Sequence, residues 1–397
     1  MSDSVIGIVG GGIGGLAAAI ALRGYGHRVR VFEQAPGFAR VGADVNLTPN
    51  AVTALDGLGL GERLRETAAR PTHRISQMWD TGQETSRLEM SHAAEERYGA
   101  PQLTIHRADL LAALTDALPD GVIEFGKRLA GVDLGERSWL RFDDRTDAEV
   151  DVLIGADGIH SAVRTALFGP EHPTFTGVVA YRAVVPTERL RGVPDIGAFT
   201  KWWGPDPDTQ IVTFPLNRGT ETFVFATAPQ DDWTHESWTM PGSVTELRER
   251  YRAFHPDARA LLDACDEVLK SALYVRDPLP RWSAGTATLL GDACHPMMPF
   301  MAQGAGTAVE DAVVLARALS ELDTVDAVGS ASVVDAASVV AALRRYEAAR
   351  RERTARIQLG SRGNNWLKDS GDADWVYAYD AWRVPLGPAG QAASVAV

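Results

Sequence analysis

The chain has 397 residues, 45% of them hydrophobic and 23% charged, which is enough to bury a core in one large or two closely packed domains. A formal net charge of −13 argues against nucleic acid or an anionic membrane as the main partner. The two cysteines, Cys265 and Cys294, are too far apart for a disulfide framework and in no metal-ligand spacing, which suits a reducing cytoplasm. No apolar run reaches spanning length, and the first one follows Ser2-Asp3-Ser4 without basic residues, so it is no signal peptide.

That first run, Val5 to Val9, predicts a strand. Gly10-Gly11-Gly12-Ile13-Gly14-Gly15 follows, with Gly10, Gly12 and Gly15 in the G-x-G-x-x-G positions, and Leu16 to Leu22 continues as a helix. A second strand, Val29 to Phe32, ends in Glu33-Gln34. This pattern permits a tight turn, close backbone approach to a pyrophosphate, and an acid placed for the adenosine ribose. It does not separate FAD from NAD.

Ile105 opens a predicted helix running to Leu118, and Val150 to Ile154 predicts a strand leading into Gly155-Ala156-Asp157-Gly158. Between 172 and 275 the pattern turns to alternation, at Val178 to Val185, Ile211 to Phe214 and Thr222 to Thr227, with Trp202, Trp203, Trp233 and Trp238 nearby. Such alternation predicts an antiparallel sheet, here the carrier of a substrate pocket.

Thr286 to Leu290 predicts a buried strand. Gly291-Asp292-Ala293-Cys294-His295-Pro296 follows, then a proline-stiffened loop, then Gly304-Ala305-Gly306-Thr307 opening a helix to Leu319. An acid at a strand end and a glycine-rich helix start can hold a flavin: Asp292 accepts from a ribityl hydroxyl, and the helix N-terminus favours negative charge on the ring. This second element selects FAD over NAD as the resident cofactor. Ala327 to Val340 reads as a connection and the start of a helix. Leu343 to Leu359 predicts a charged helix whose Arg344, Arg345, Arg350, Arg351, Arg353 and Arg356 read as a solvated, salt-bridged face. The tail, with Trp366, Trp375, Tyr377, Tyr379 and Trp382, packs on the body or on a second copy in a homodimer. The division that follows is an FAD-binding domain at 1–72, 100–171 and 275–325, a substrate-binding β-sheet domain at 73–99 and 172–274, and a C-terminal helical region at 326–397.

Together, the Gly10–Gly15 turn, the Gly155–Gly158 element and the Gly291-Asp292 element resemble the single-component FAD-dependent aromatic hydroxylases, the p-hydroxybenzoate and salicylate hydroxylase family, over nearly the whole chain. Phe125-Gly126-Lys127-Arg128-Leu129, Lys201-Trp202-Trp203, His255-Pro256, Met301 to Ala305 and Trp375-Val376-Tyr377 resemble its hydroxynicotinate 3-monooxygenase branch. The resemblance implies an α/β fold: a Rossmann-like FAD-binding domain with an inserted antiparallel-sheet domain and C-terminal helices. It implies tightly bound FAD, NADH or NADPH as a transient reductant, and O2, which with reduced FAD forms a flavin C4a-hydroperoxide that a ring carbon activated by OH or NH2 attacks. Arg40 and Arg107 would contact the FAD pyrophosphate or ribityl chain, Leu129 the adenine, and Asp157 both FAD and nicotinamide.

The substrate would be a small aromatic carboxylic acid. Its carboxylate would pair with Arg182 or Lys201, its ring would lie against Val212, Phe214 and Phe300, and the Pro299 carbonyl would meet its hydroxyl or amine. Asn46 stands where that branch carries a histidine, Phe300 where it carries another, and Val212 near a tyrosine position, so the pocket tilts toward a hydroxybenzoate or amino-hydroxybenzoate rather than decarboxylative hydroxylation of a hydroxynicotinate. His295 is placed either for proton transfer beside the flavin or for a backbone bond in its loop. A halogenase would carry a Trp-x-Trp-x-Ile-Pro stretch, which is missing. A flavin dehydrogenase and a flavin-bound redox sensor are compatible with the same cofactor motifs.

Overall fold

The computed structural model describes residues 4–39, 44–90, 92–233, 240–321, 335–368 and 372–387. Arg40 and Trp238 lie outside them.

Alternating and continuous apolar runs sort into two main sheets. The first has six strands in the order Ser283–Ala284, Ala287–Leu289, Val152–Gly155, Val5–Val9, Arg28–Glu33 and Ile123–Phe125. Its central pairs are parallel, with Ile8 opposite both Ile154 and Val31. The strands Val5–Val9, Val152–Gly155 and Ala287–Leu289, covered on both faces, are nearly all apolar, as central strands of such a sheet must be. Their carboxyl ends gather Gly10, Glu33, Gly155 and Leu290 along one edge, the edge where open α/β sheets bind ligands. Helices Ile13–Gly24 and Gly304–Ser320 pack together above that edge; a Cβ on Gly14 would lie 2.7 Å from Leu290 Cδ1 and 3.1 Å from Ala308 Cβ.

The second sheet has seven strands: Leu269–Val275, Thr174–Pro186, Glu221–Pro229, Gln210–Leu216, Phe199–Trp203, His73–Met78 and Glu84–Glu89. All pairs are antiparallel except Phe199–Trp203 with His73–Met78. One face packs Val179, Tyr181, Trp202, Ile211 and Val224 on helices Val244–Arg250 and Pro256–Asp263. The other gathers Val178, Phe199, Val212, Phe214, Phe223 and Phe225 against Met298 and Phe300, so it looks toward the proline-rich loop.

A two-stranded ribbon, Asp44–Leu47 with Leu103–His106, joins the halves: Thr104 Oγ1 donates to the Pro215 carbonyl at 2.6 Å. Ile105 and His106 therefore end a strand instead of opening a helix. The helix is Arg107–Asp116, and the His106 side chain caps it by accepting from Ala108 N. Sheet pairing with Asp44 and Val45 overrides a local pattern that fits either state.

The C-terminal helix is Ala336–Arg362. The aromatic tail packs on the body: Val376 and Tyr377 join Met90, Met301 and Ile357, and Trp382 Nε1 donates to the Ala54 carbonyl. No helix among the described residues is long and apolar enough to cross a membrane.

Candidate active site

The glycine turn is built to present backbone to an anion. Gly10 holds φ at +105°, and a Cβ there would fall 2.4 Å from the Ala156 carbonyl oxygen, so no other residue fits. A Cβ on Gly12 would meet nothing within 4 Å; the space beside this helix start is open. Ile13 begins the helix half-buried, and Gly15 lets the helix approach the Gly10 carbonyl. Glu33 closes the turn: Gly11 N donates to its Oε2 and Ala35 N to its Oε1, each at 2.7 Å, and Gln34 beside it is exposed. Leu129 is half-buried at the start of strand Leu129–Asp133.

Arg107, Asp292 and Pro299 are all reachable by solvent, yet Arg107 and Asp292 are closely surrounded, as residues lining a cleft must be. Burial lowers the Arg107 pKa, opposed by Asp292 and Glu33. Burial raises that of Asp292, opposed by His295 and Arg107. Arg107 thus stands within charge range of both Glu33 at the glycine turn and Asp292 at the Gly291 turn, one cation between two acids.

Further along the chain helix Gly304–Ser320 begins. Thr307 N donates to the Gln303 carbonyl, and the N–H groups ahead of it, on Gly304, Ala305 and Gly306, are those a helix start leaves without internal partners. Gly306 also serves packing, because a Cβ there would lie 3.0 Å from Ala51 Cβ. An open helix start, an acid and an arginine in the cleft, and a second helix start at its end fit the pyrophosphate, ribityl chain and ring of FAD.

Two further residues adjoin these turns with partners of their own, Asp157 beside Gly10 and His295 behind Gly291. Asp157 caps the Ala162–Phe168 helix, accepting from Ser161 Oγ at 2.5 Å and from Ala162 N at 2.7 Å. Its carboxylate thus caps that helix start, while its Cα lies 2.9 Å from where a Cβ on Gly10 would stand, beside the glycine turn. His295 is 1% exposed with Nε2 2.5 Å from Asp311 Oδ2. It lies in a buried charge network, not in the open cleft.

In that network Arg350 pairs with Glu310 at 2.6 Å and Asp311 at 2.7 Å, all three inaccessible, and Arg353 pairs with Glu310 at 3.0 Å. Asn50 donates to Glu310 and Gln303, and Gln303 to Thr48. Burial opposes ionisation of Asp311, but His295 and Arg350 hold its pKa at about 2. Arg350 and Arg353 are therefore not on the solvated face that their helix's charge pattern suggests; they anchor it to the flavin-loop helix.

On the second sheet, one cross-strand row on the face toward the loop reads Ser76, Lys201, Val212, Phe225, Arg182. The next row reads Arg74, Phe199, Phe214, Phe223. Val212, Phe214 and Phe300 thus come together as one apolar wall. Lys201 and Arg182 do not: three strand spacings separate them, about 14 Å. Arg182 bonds Ser271, and its charged neighbour is Asp44. Burial lowers Arg182 to about 10, opposed by Asp44, and raises Asp44 to about 7, opposed by Arg182. Asn46, two residues after Asp44 and so on the same ribbon face, accepts from Gln102 at 2.8 Å, and its own Nδ2 has no partner among the described residues. Arg74, Asp44 and the Asn50–Gln303–Glu310 cluster escape sequence reasoning: one charged residue in an alternating strand looks the same whether its face meets water or a second domain.

Residues 3–355 match the FAD-binding domain family. A 6-hydroxynicotinate 3-monooxygenase of Pseudomonas fluorescens is 40% identical over 383 residues, 96% of each chain. A 3-amino-4-hydroxybenzoate 2-monooxygenase of Streptomyces platensis is 36% identical over 80% of each chain. A salicylate hydroxylase substrate complex superimposes with a TM-score of 0.81 at 26% identity, covering 96% of each chain.

Proposed function

The chain belongs to the FAD-dependent aromatic monooxygenases, and from that premise we propose that it hydroxylates a small aromatic acid of the hydroxybenzoate or amino-hydroxybenzoate type, with NADH or NADPH as electron donor and O2 as oxygen source. The observation that carries this reading is the apolar wall of Val212, Phe214 and Phe300, which joins the sheet to the Pro299–Met301 loop with Lys201 directly opposite Val212. A ring slides between such walls, and a charged group on it needs a fixed cation.

FAD, when bound, supplies the redox and oxygen-transfer chemistry. The protein's part is to hold and orient. The Gly10–Gly15 helix start would receive the pyrophosphate, Glu33 the ribose, and Arg107 with Asp292 the chain between the two halves of the cofactor. The N–H groups of Gly304 to Gly306 would favour negative charge on the ring. The Pro299 carbonyl accepts from Ala302 N at 2.9 Å, and its second lone pair would accept from a ring hydroxyl or amine and so orient the carbon to be oxidised. Asn46 holds without titrating: its unpartnered amide N–H donates to a ring oxygen but takes no proton.

A second reading, decarboxylative hydroxylation of a hydroxynicotinate, draws on the 40% identical relative. One experiment addresses both: aerobic NADH and NADPH consumption by the FAD-loaded protein with salicylate, 3-amino-4-hydroxybenzoate and 6-hydroxynicotinate, each product weighed by mass spectrometry. A product with one added oxygen and its carboxyl group retained supports the first reading. Replacement of the carboxyl group by hydroxyl supports the second. Nicotinamide oxidation that no aromatic accelerates refutes both.

A further inference from the structure

Two buried basic side chains on the second sheet have no carboxylate partner among the described residues. Arg74 is 4% exposed and Lys201 2% exposed. They lie on adjacent strands, Arg74 opposite Phe199 and Lys201 opposite Ser76, and alternate residues share a face, so both point to the side of Val212 and Phe214. The Arg74 guanidinium lies 5.1 Å from the Phe199 ring centre, and its Nε has no hydrogen-bond partner. The Lys201 amine lies 3.7 Å from the Trp203 ring centre and 5.8 Å from that of Phe300, and donates to Asn364 Oδ1 at 2.6 Å. Among the described residues no carboxylate pairs with either.

A buried cation without an anion is costly, and a second beside it adds repulsion. Ring faces return only part of that cost. Burial, Arg74 and Lys368 accordingly push the Lys201 pKa well below its usual value, and an anion seated between Lys201 and Arg74 would draw the proton back. The third cation nearby, Lys368, is exposed and adds to the same positive field.

We infer that Arg74 and Lys201 together bind the carboxylate of the aromatic substrate, with the ring carried away from them along Phe199, Phe214 and Phe300. This rests on the aromatic-acid function proposed above and names the cations that serve it. A guanidinium fork and an ammonium match the two oxygens of a carboxylate. Phe199 and Phe214 are stacked at 5.2 Å with 6° between their planes, a flat wall beside the clamp. Arg182 has Asp44 as charged neighbour and Ser271 as acceptor, and stands too far along the row to share one small acid with Lys201.

The test is binding of salicylate, 3-amino-4-hydroxybenzoate and 6-hydroxynicotinate, each beside its carboxamide, to the FAD-loaded enzyme. It is followed by tryptophan fluorescence, because Trp203 touches the clamp, and by equilibrium dialysis. The wild-type enzyme should prefer a bound acid over its amide by roughly tenfold or more. Arg74→Gln and Lys201→Met should each weaken the acid by roughly 10- to 100-fold and leave the amide within about threefold, Arg74→Lys should recover part of the loss, and Arg182→Gln should leave the ratio intact. In turnover the loss should fall on KM rather than kcat. Equal weakening of acid and amide in the two clamp variants, or collapse of the ratio in Arg182→Gln, overturns the clamp while the function stands. If the wild-type enzyme binds neither acid nor amide, the aromatic-acid function falls and the clamp with it.

Discussion

Two sets of buried charge touch the segment from Pro299 to Thr307, and they are built on opposite plans. Behind the helix start, Arg350 and Arg353 are matched by Glu310 and Asp311, with Asn50, Gln303 and Thr48 taking up remaining bonds. On the sheet, reached through Phe300, Arg74 and Lys201 have aromatic faces and one amide oxygen but, among the described residues, no acid. A closed set of charges spends its electrostatics on holding two helices in one place. An open set keeps them for something that arrives. Burial alone does not tell a structural charge from a binding one; the balance of sign within its neighbourhood does.

Removing a member of each set should therefore change stability in opposite directions. Arg350→Met leaves two buried carboxylates sharing Arg353 and His295, and should cost about 3–5 kcal/mol in urea unfolding, with loss of retained FAD. A stable, FAD-loaded Arg350→Met protein would break the comparison. Arg74→Met removes an uncompensated charge and should stabilise the ligand-free protein by about 1–2 kcal/mol, an advantage that shrinks when salicylate or whichever acid binds is added. Destabilisation of the ligand-free protein would mean that Arg74 already has its counter-charge.

Smaller effects sharpen the same contrast. Thr48→Val takes one hydroxyl from the closed set, a partner of both Asn50 and Gln303, and should cost about 1 kcal/mol by thermal unfolding. Asp44 is intermediate between the two plans, an acid beside Arg182 whose burial still lifts it from 3.8 to about 7. The folded protein then holds this proton more tightly than the unfolded chain does, so stability falls as pH rises from about 4 to about 7, by on the order of 1 kcal/mol after solvent screening. Asp44→Asn should flatten that part of the stability–pH curve; an unchanged slope would show that Asp44 is ionised throughout.

The parts legible in sequence were those whose partners are close in the chain or fixed by strand ends. Gly10, Gly12 and Glu33 belong to one strand–helix–strand unit, and Gly291 to Thr307 to one strand–loop–helix unit, so spacing places them. The alternating runs of the second sheet were equally plain. His295 reads as a flavin neighbour along the chain, but its partner Asp311 lies a helix start further on and draws the ring into the core. Arg350 and Arg353 sit in a helix dense with arginine, where nothing local distinguishes a core-facing arginine from a solvated one. Arg74 depends on a parallel pairing between His73–Met78 and Phe199–Trp203, which no hairpin turn announces.

The cross-strand row from Ser76 to Arg182 bears on how substrate range could change. A sheet offers side-chain positions in fixed steps of about 4.8 Å across its strands, and strands cannot slide apart to give intermediate ones. A cation serving a longer or shorter acid would have to move by a whole step, to the place of Val212 or Phe225, and not by a small adjustment of Lys201. Relatives on this scaffold should therefore fall into discrete size classes of substrate, each marked by the strand that carries the cation.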